Sequence, residues 1–456
     1  MSYKKSVLIK KQDIAIKGII DVAPDKSISH RALIFAALAY GKTKISNLLE
    51  GEDVLKTAQA LRQMGVDISK NSDGSWSVIG VGYCGLNESN DVVDMGNSGT
   101  AARLLSGMVS SYDFVTFFTG DGSLRKRPMK RIFEPLSLIG ASITSRQNNF
   151  MPFAIKGSKI PLAIDYKMNV ASAQVKSAIL LASLNIRGQT NIFEPEKCRD
   201  HTEIMMKYLG LKIEVSDFDN GRKISFNGMQ EFDAKDFEIC GDISSAAFLI
   251  VACLVVKDSK IVIRNIGVNP LRDGIIKTLQ EMGGNILLKN QRLIGGELVA
   301  DIEVEYSELK SVNVSAKRAP SMIDEYPILS IAAAHAKGVT RMNGLAELKV
   351  KESNRLFMIA ENLSKCGVEV NMGDDYLEVK GGIKSNNEPI NISTSMDHRI
   401  AMSFFVMGIT RDCGVLIDDF SMVDTSFPNF LKIFSDLGYK IDDNINSNFL
   451  DKNQSS

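Results

Sequence analysis

Six times along this chain a helical pattern ends in a glycine and a short alternating strand follows. The copies are Ala60–Ile68, Pro135–Ile143, Met205–Ile213, Thr278–Ile286, Asn362–Val370 and Ile433–Ile441, with their glycines at 65, 140, 210, 283, 367 and 438. A glycine at that place suits a left-handed cap between helix and strand. Ahead of each copy lies a more apolar helix and then a strand, as in Ala32–Ala39 with Thr43–Ser46, Ile179–Leu184 with Thr190–Phe193, and Ile328–Ala336 with Val339–Met342. The repeating unit is therefore helix–strand–helix–strand plus extra short strands, about 70–85 residues long. One such unit buries its apolar faces poorly, so several must pack together. Phe248–Val256 is apolar nearly all round, which predicts full burial. Six units in 456 residues favour two α/β domains of three, with the midpoint near Ile239–Asp242.

The predicted helix starts carry cations where the helix pole is already positive. Met95-Gly96-Asn97-Ser98-Gly99-Thr100 is a glycine loop opening a helix, with Arg103 in or near its first turn. Lys26-Ser27-Ile28-Ser29-His30-Arg31 precedes one apolar run, Ser172-Ala173-Gln174-Val175-Lys176 a second, and Asp397-His398-Arg399 a third. An ordinary surface helix places Asp or Glu there instead. A bound, multiply charged anion would reconcile all four starts, because unpaired N–H groups and local cations both favour it.

Lys plus Arg and Asp plus Glu both number 54, so the formal net charge is zero. That argues against a general nucleic-acid or anionic-membrane surface, as does the lack of aromatic interleaving. The six cysteines are scattered without a CxxC pair, which signals neither a zinc site nor a disulfide framework and fits reduced structural thiols in a cytoplasmic protein. Met1–Lys11 lacks the apolar segment of a signal peptide, and Ile243–Val256 and Ala401–Ile409 are too short to span a bilayer. Asn444–Ser456 is mostly polar and is expected to be frayed.

Taken with Gly120-Asp121 through Arg127-Pro128-Met129, Arg199-Asp200-His201-Thr202-Glu203, Gly241–Ser245, Asp324 and Lys351-Glu352-Ser353-Asn354-Arg355, these motifs match a known pattern in order. The chain resembles the 5-enolpyruvylshikimate-3-phosphate synthases over nearly its whole length, and its SAQVKSA and RDHTE wording resembles the bacterial class II subgroup. The resemblance implies two inside-out α/β barrel domains, each of three βαβαββ units, with the active site in the cleft between them. It implies a discontinuous domain of residues 1–21 plus 240–456 and an inserted domain of residues 22–239. It also implies transfer of the enolpyruvyl group of phosphoenolpyruvate to the 5-hydroxyl of shikimate-3-phosphate with release of phosphate, by a cytoplasmic monomer using no metal or organic cofactor.

The same resemblance assigns roles. Lys26 would touch both substrates, and Ser27 and Arg31 would hold the carboxylate side of shikimate-3-phosphate. Gly99, Arg127, Arg355 and Arg399 would bind phosphoenolpyruvate. Ser172, Ala173, Gln174 and Arg199 would surround the phosphate of shikimate-3-phosphate, with Ala173 where another subgroup has a second serine, and Lys351 would also contact this substrate. Asp324 would deprotonate the attacking hydroxyl, with Glu325 as the competing carboxylate. Glu352 would shuttle a proton at the vinyl carbon. Which of Glu352, Lys26 and Asp324 carries each proton stays open. Helical spacing would put Lys351 and Arg355 on one face with Glu352 about a hundred degrees away; the bland alternative is a surface ion-pair face worth little. Asn354 replaces a commoner Asp, which questions a charge partner for Arg355. His398 reads as a structural histidine, and Thr425 stands where some relatives have a substrate-binding Lys. Two rival functions remain: an enolpyruvyl transferase acting on UDP-N-acetylglucosamine, disfavoured because Gly120–Pro128 holds no cysteine, and a non-enzymatic repeat scaffold.

Overall fold

A computed structural model describes residues 5–384 and 387–442; the expectation for Asn444–Ser456 lies outside the described residues. In the second repeat, helix Gly99–Val109 leads to strand Val115–Thr119, helix Lys130–Ile139, and strands Ser142–Arg146 and Phe150–Lys156. The sheet order is Val93–Asp94, Val115–Thr119, Phe150–Lys156, Ser142–Arg146, with the first pair parallel and the others antiparallel. Four more four-stranded sheets use this order, around Tyr40–Ser46, Gln189–Glu194, Lys260–Gly267 and Val339–Asn343. All six repeat glycines have positive φ, from 71° to 110°. Each ends its helix in the left-handed region, which a Cβ disfavours.

The two helices of a repeat differ as their sequences require. The first is apolar on every side and buried: Ile243–Leu254 are all inaccessible within helix Ile243–Val255. The second is amphipathic, as in Glu52–Gln63, where Val54, Ala58 and Leu61 face inward and Glu52 and Arg62 face outward.

The sixth repeat departs from the pattern. Among the described residues, its glycine is followed by an isolated bridge between Leu8 and Asp442, and no strand covers Tyr439–Ile441. Instead Val415–Ile417 pairs with Ile390–Ile392 in parallel and with Val7–Ile9 antiparallel. Two other strands are exchanged. Lys17–Ile20 precedes helix Lys26–Leu38 yet pairs with Lys260–Gly267. Phe237–Glu238 precedes helix Ile243–Val255 yet pairs with Tyr40–Ser46. Accordingly the chain forms two compact units. One comprises Met1–Ala23, Gly241–Arg292 and Val299–Ser456; the other comprises Pro24–Cys240 and the hairpin tip Leu293–Leu298. Among the described residues, each holds three sheets.

Candidate active site

In the unit built on Pro24–Cys240, side chains tie together the starts of three buried helices, Lys26–Leu38, Gly99–Val109 and Ala173–Ser183. The His30 ring bonds Thr57 Oγ1 through Nδ1 at 2.7 Å and meets Ser98 Oγ through Nε2 at 3.4 Å. Ser98 caps the second helix by accepting from Ala101 N–H. Gln174 Nε2 donates to Thr100 Oγ1 (3.0 Å), while Gln174 Oε1 accepts from Arg103 Nη1 (3.1 Å). Arg31 closes the ring: Nη2 donates to Ser177 Oγ at 2.7 Å and Nε to Thr202 Oγ1 at 2.8 Å. Ser172 is the cap of the third helix, accepting from Val175 N–H, with Ala173 its first residue.

Around this ring stand the other expected residues. Lys26 Nζ lies 3.0 Å from Asp53 Oδ2, a carboxylate in the first turn of helix Glu52–Gln63, and Ser27 follows on the first turn of its helix. Arg103 Nη2 also donates to Pro128 O, and Arg127 Nη2 donates to Asn97 Oδ1 (2.8 Å). Both guanidinium groups overlie Gly99. A Cβ there would stand 2.7 Å from Arg103 Nη1 and 2.9 Å from Arg127 Nη1. Arg199 is half-buried in the segment before helix His201–Tyr208. It lies near enough to Arg31 to oppose that residue's charge. Burial and Arg199 together outweigh the carboxylates Glu203 and Asp25 and lower Arg31 to about 10.

In the other unit, the expected residues gather at the starts of helices Tyr326–His335, Arg355–Lys365 and His398–Gly408. Asp324 Oδ1 lies 3.2 Å from both Lys351 Nζ and Arg355 Nη1. The buried Arg355 guanidinium also pairs with Glu352 and, through Nε at 2.8 Å, with Asp397 Oδ2. Burial works against its charge, but Asp397, Glu352 and Asp324 hold its pKa above the ordinary value. Arg399 Nη1 donates to Asp324 O at 3.1 Å. Glu325 is 1% exposed and accepts from Ser244 Oγ, whereas the Asp324 side chain retains 15% exposure. That difference separates the two neighbouring carboxylates: Glu325 braces the helix start, and Asp324 stays accessible between two cations. Among the described residues, no group of three or more His, Cys, Asp or Glu could hold a metal ion, and no helix is long and apolar enough to cross a membrane.

A family model described as EPSP synthase (3-phosphoshikimate 1-carboxyvinyltransferase) matches residues 10–434. The chain belongs to the EPSP synthase family. A 3-phosphoshikimate 1-carboxyvinyltransferase of Paramagnetospirillum magneticum is 50% identical over 427 residues, covering 93% of this chain and 96% of that protein. One from Acidiphilium cryptum is 48% identical over 94% of this chain and 96% of its own length. A solved EPSP synthase structure from Acinetobacter baumannii aligns with a TM-score of 0.84 at 40% identity, covering 96% of this chain and 99% of that one.

Several EPSP synthase expectations need amendment. Lys351 and Glu352 do not share a helix with Arg355. Lys351 is extended after the 3-10 turn Ala346–Val350, and the helix begins only at Arg355. The three side chains converge because the loop folds back, not because of helical spacing. Asn354 caps that helix by accepting from Phe357 N–H, and Arg355 has carboxylate partners without it. Arg103 sits one turn inside its helix and folds back onto Gly99 O at 3.1 Å. The helix poles are also not left to cations alone. Asp25, Asp242 and Asp397 cap three of the buried helices, so a bound anion is not the sole means of balance. Lys176 is fully buried between Glu194 and Glu203 and is a structural cation, not a ligand-facing one.

Sequence reasoning missed two carboxylates that pair with candidate site residues, Asp53 with Lys26 and Asp397 with Arg355. Asp397 carried a readable signal, an Asp directly before an apolar helical run. Asp53 carried none, because the spacing of 27 residues to Lys26 means nothing until the repeat folds.

Proposed function

We propose that this chain transfers the enolpyruvyl group of phosphoenolpyruvate to the 5-hydroxyl of shikimate-3-phosphate, releasing phosphate. The observation that carries the reading is the Asp324 carboxylate held 3.2 Å from both Lys351 Nζ and Arg355 Nη1, with Glu352 on the same guanidinium. An alcohol is a poor nucleophile and needs a base, and the vinyl carbon needs an acid. Two carboxylates beside fixed cations supply both. In this reading Asp324 accepts the hydroxyl proton while Glu352 protonates the vinyl carbon. The hydroxyl oxygen adds to the adjacent carbon, giving a tetrahedral ketal phosphate. Loss of a proton to Glu352 and of phosphate, which leaves with the proton Asp324 took from the hydroxyl, restores the double bond.

Arg127 and Arg399 would meet the anionic charge of phosphoenolpyruvate alongside Arg355, and Gly99 would open the helix start to it. Ser172, Gln174 and Arg199 would take the phosphate of shikimate-3-phosphate; Lys351, Ser27 and Arg31 its remaining polar groups; Lys26 would touch both substrates. Because these groups are held in place beforehand, little reorganisation is needed as charge develops. A monomeric, cytoplasmic enzyme completes the proposal.

The test is phosphate release with phosphoenolpyruvate, offering shikimate-3-phosphate and UDP-N-acetylglucosamine in turn. Release is expected with the first acceptor only; release with the second alone would overturn the proposal. Glu352→Gln is expected to lower kcat by ~10²–10⁴, the usual range for a general acid or base. Near-normal turnover would move its role to Lys26 or Asp324.

A further inference from the structure

Beneath the third helix start lies a buried charge cluster that the proposed chemistry does not use. Lys176 Nζ is 2.6 Å from Glu194 Oε1 and 2.6 Å from Glu203 Oε1, and all three side chains are almost fully inaccessible. Cys198 Sγ donates to Glu194 Oε1 at 2.8 Å. Beside them in sequence, Ser177 Oγ (after Lys176) and Thr202 Oγ1 (before Glu203) bond at 2.7 Å under the Arg31 guanidinium. Two cations, Lys176 and Arg31, thus face two carboxylates. Burial works against Lys176, yet Glu203 and Glu194 hold its pKa above the ordinary value.

Glu194 ends strand Gln189–Glu194, and Glu203 lies in the first turn of helix His201–Tyr208. The segment between them, Pro195–Asp200, carries Arg199. One ammonium group therefore grips both ends of that segment. It does so from the helix that begins with Ser172, Ala173 and Gln174. A buried ion cluster of this sort is a poor source of net stability, since apolar packing of similar volume often does as well. What it supplies is a fixed relation between two pieces of chain.

We infer that Lys176, with Glu194 and Glu203, is a positioning residue for the substrate phosphate: it sets the separation of Arg199 from the Ser172–Gln174 helix start. The inference rests on the proposed function. Lys176 touches no substrate, and its effect passes through Arg199 and the helix cap. Misplacing one anchor of a phosphate should weaken that substrate selectively, while Gly99, Arg127 and the phosphoenolpyruvate contacts stay as they are.

Steady-state kinetics with both substrates varied, alongside thermal denaturation, test it on the wild-type chain, Lys176→Met and Glu194→Gln. Lys176→Met is expected to raise KM for shikimate-3-phosphate by about tenfold or more, with KM for phosphoenolpyruvate within about twofold of wild type. Glu194→Gln is expected to shift KM in the same selective way by less, because Lys176–Glu203 remains as a pair. Should Lys176→Met strand two buried carboxylates and not fold, Glu194→Gln decides. Unchanged KM values, or equal increases for both substrates in a folded variant, would overturn the inference. A wild-type chain inactive with shikimate-3-phosphate would instead overturn the proposed function.

Discussion

His30 is a histidine that burial keeps neutral. Burial is the largest influence, nearby Lys26 and Arg31 add to it, and together they push its pKa down to about 3 from an ordinary 6.5. The unfolded chain therefore binds a proton at His30 between about pH 6.5 and 3 that the folded chain refuses. Stability is full above that window and falls as pH drops through it, by at most ~1.4 kcal/mol per pH unit for one group. His335, half-buried and likewise lowered, chiefly by desolvation, adds in the same direction. Urea denaturation of His30→Gln between pH 6 and pH 4 is expected to show a slope shallower by up to one proton's worth; parallel slopes would count against a neutral His30. At this scale the sequence was legible where chemistry is local. The Met322–Pro327 stretch presents two adjacent carboxylates, and only burial distinguishes Glu325 from Asp324. The convergence of Lys351, Glu352 and Arg355 was anticipated through the wrong geometry, since a loop and a helix start can bring together what a helix face was expected to.

Among elements, helices Gly99–Val109 and Ala173–Ser183 approach each other closely at Gly107. A Cβ at Gly107 would stand 2.2 Å from Ala178 O and 2.5 Å from Ala178 Cα. Those atoms are backbone, so no side chain can turn aside. Gly107→Ala must push the helices apart, moving Arg103 away from Gln174. It is expected to destabilise by ~1–3 kcal/mol or more, as overpacking does, and to lower Tm measurably; an unchanged Tm would refute so tight a contact. The six repeats were legible because a glycine with positive φ leaves its mark at each helix end. The missing strand of the sixth repeat was not. An aromatic cluster packs there instead: the rings of Phe405 and Phe434 are 4.8 Å apart, and those of Phe430 and Phe434 5.0 Å. Nothing in Gly438–Ile441 reports that Val7–Ile9, far away in sequence, pairs with Val415–Ile417.

For the whole molecule, that pairing makes the beginning of the chain a structural part of its end. Val7 and Ile9 are buried, each worth ~1.5–3 kcal/mol of apolar burial. Deleting residues 1–12 is expected to open the sheet of Ile390–Ile392 and Val415–Ile417 to limited proteolysis. Pro24–Cys240, whose sheets draw nothing from those residues, should stay protected. Mass spectrometry of the fragments would show it, and unchanged protection of both units would contradict it. The exchange of Lys17–Ile20 for Phe237–Glu238 also bears on how the chain leaves the ribosome. Pro24–Cys240 can gather all its strands while synthesis continues, whereas Val7–Ile9 must wait for Val415–Ile417. At ordinary elongation rates that delay is roughly 20–80 s. Throughout it a nascent apolar segment stays unpaired, a natural point for a chaperone to hold.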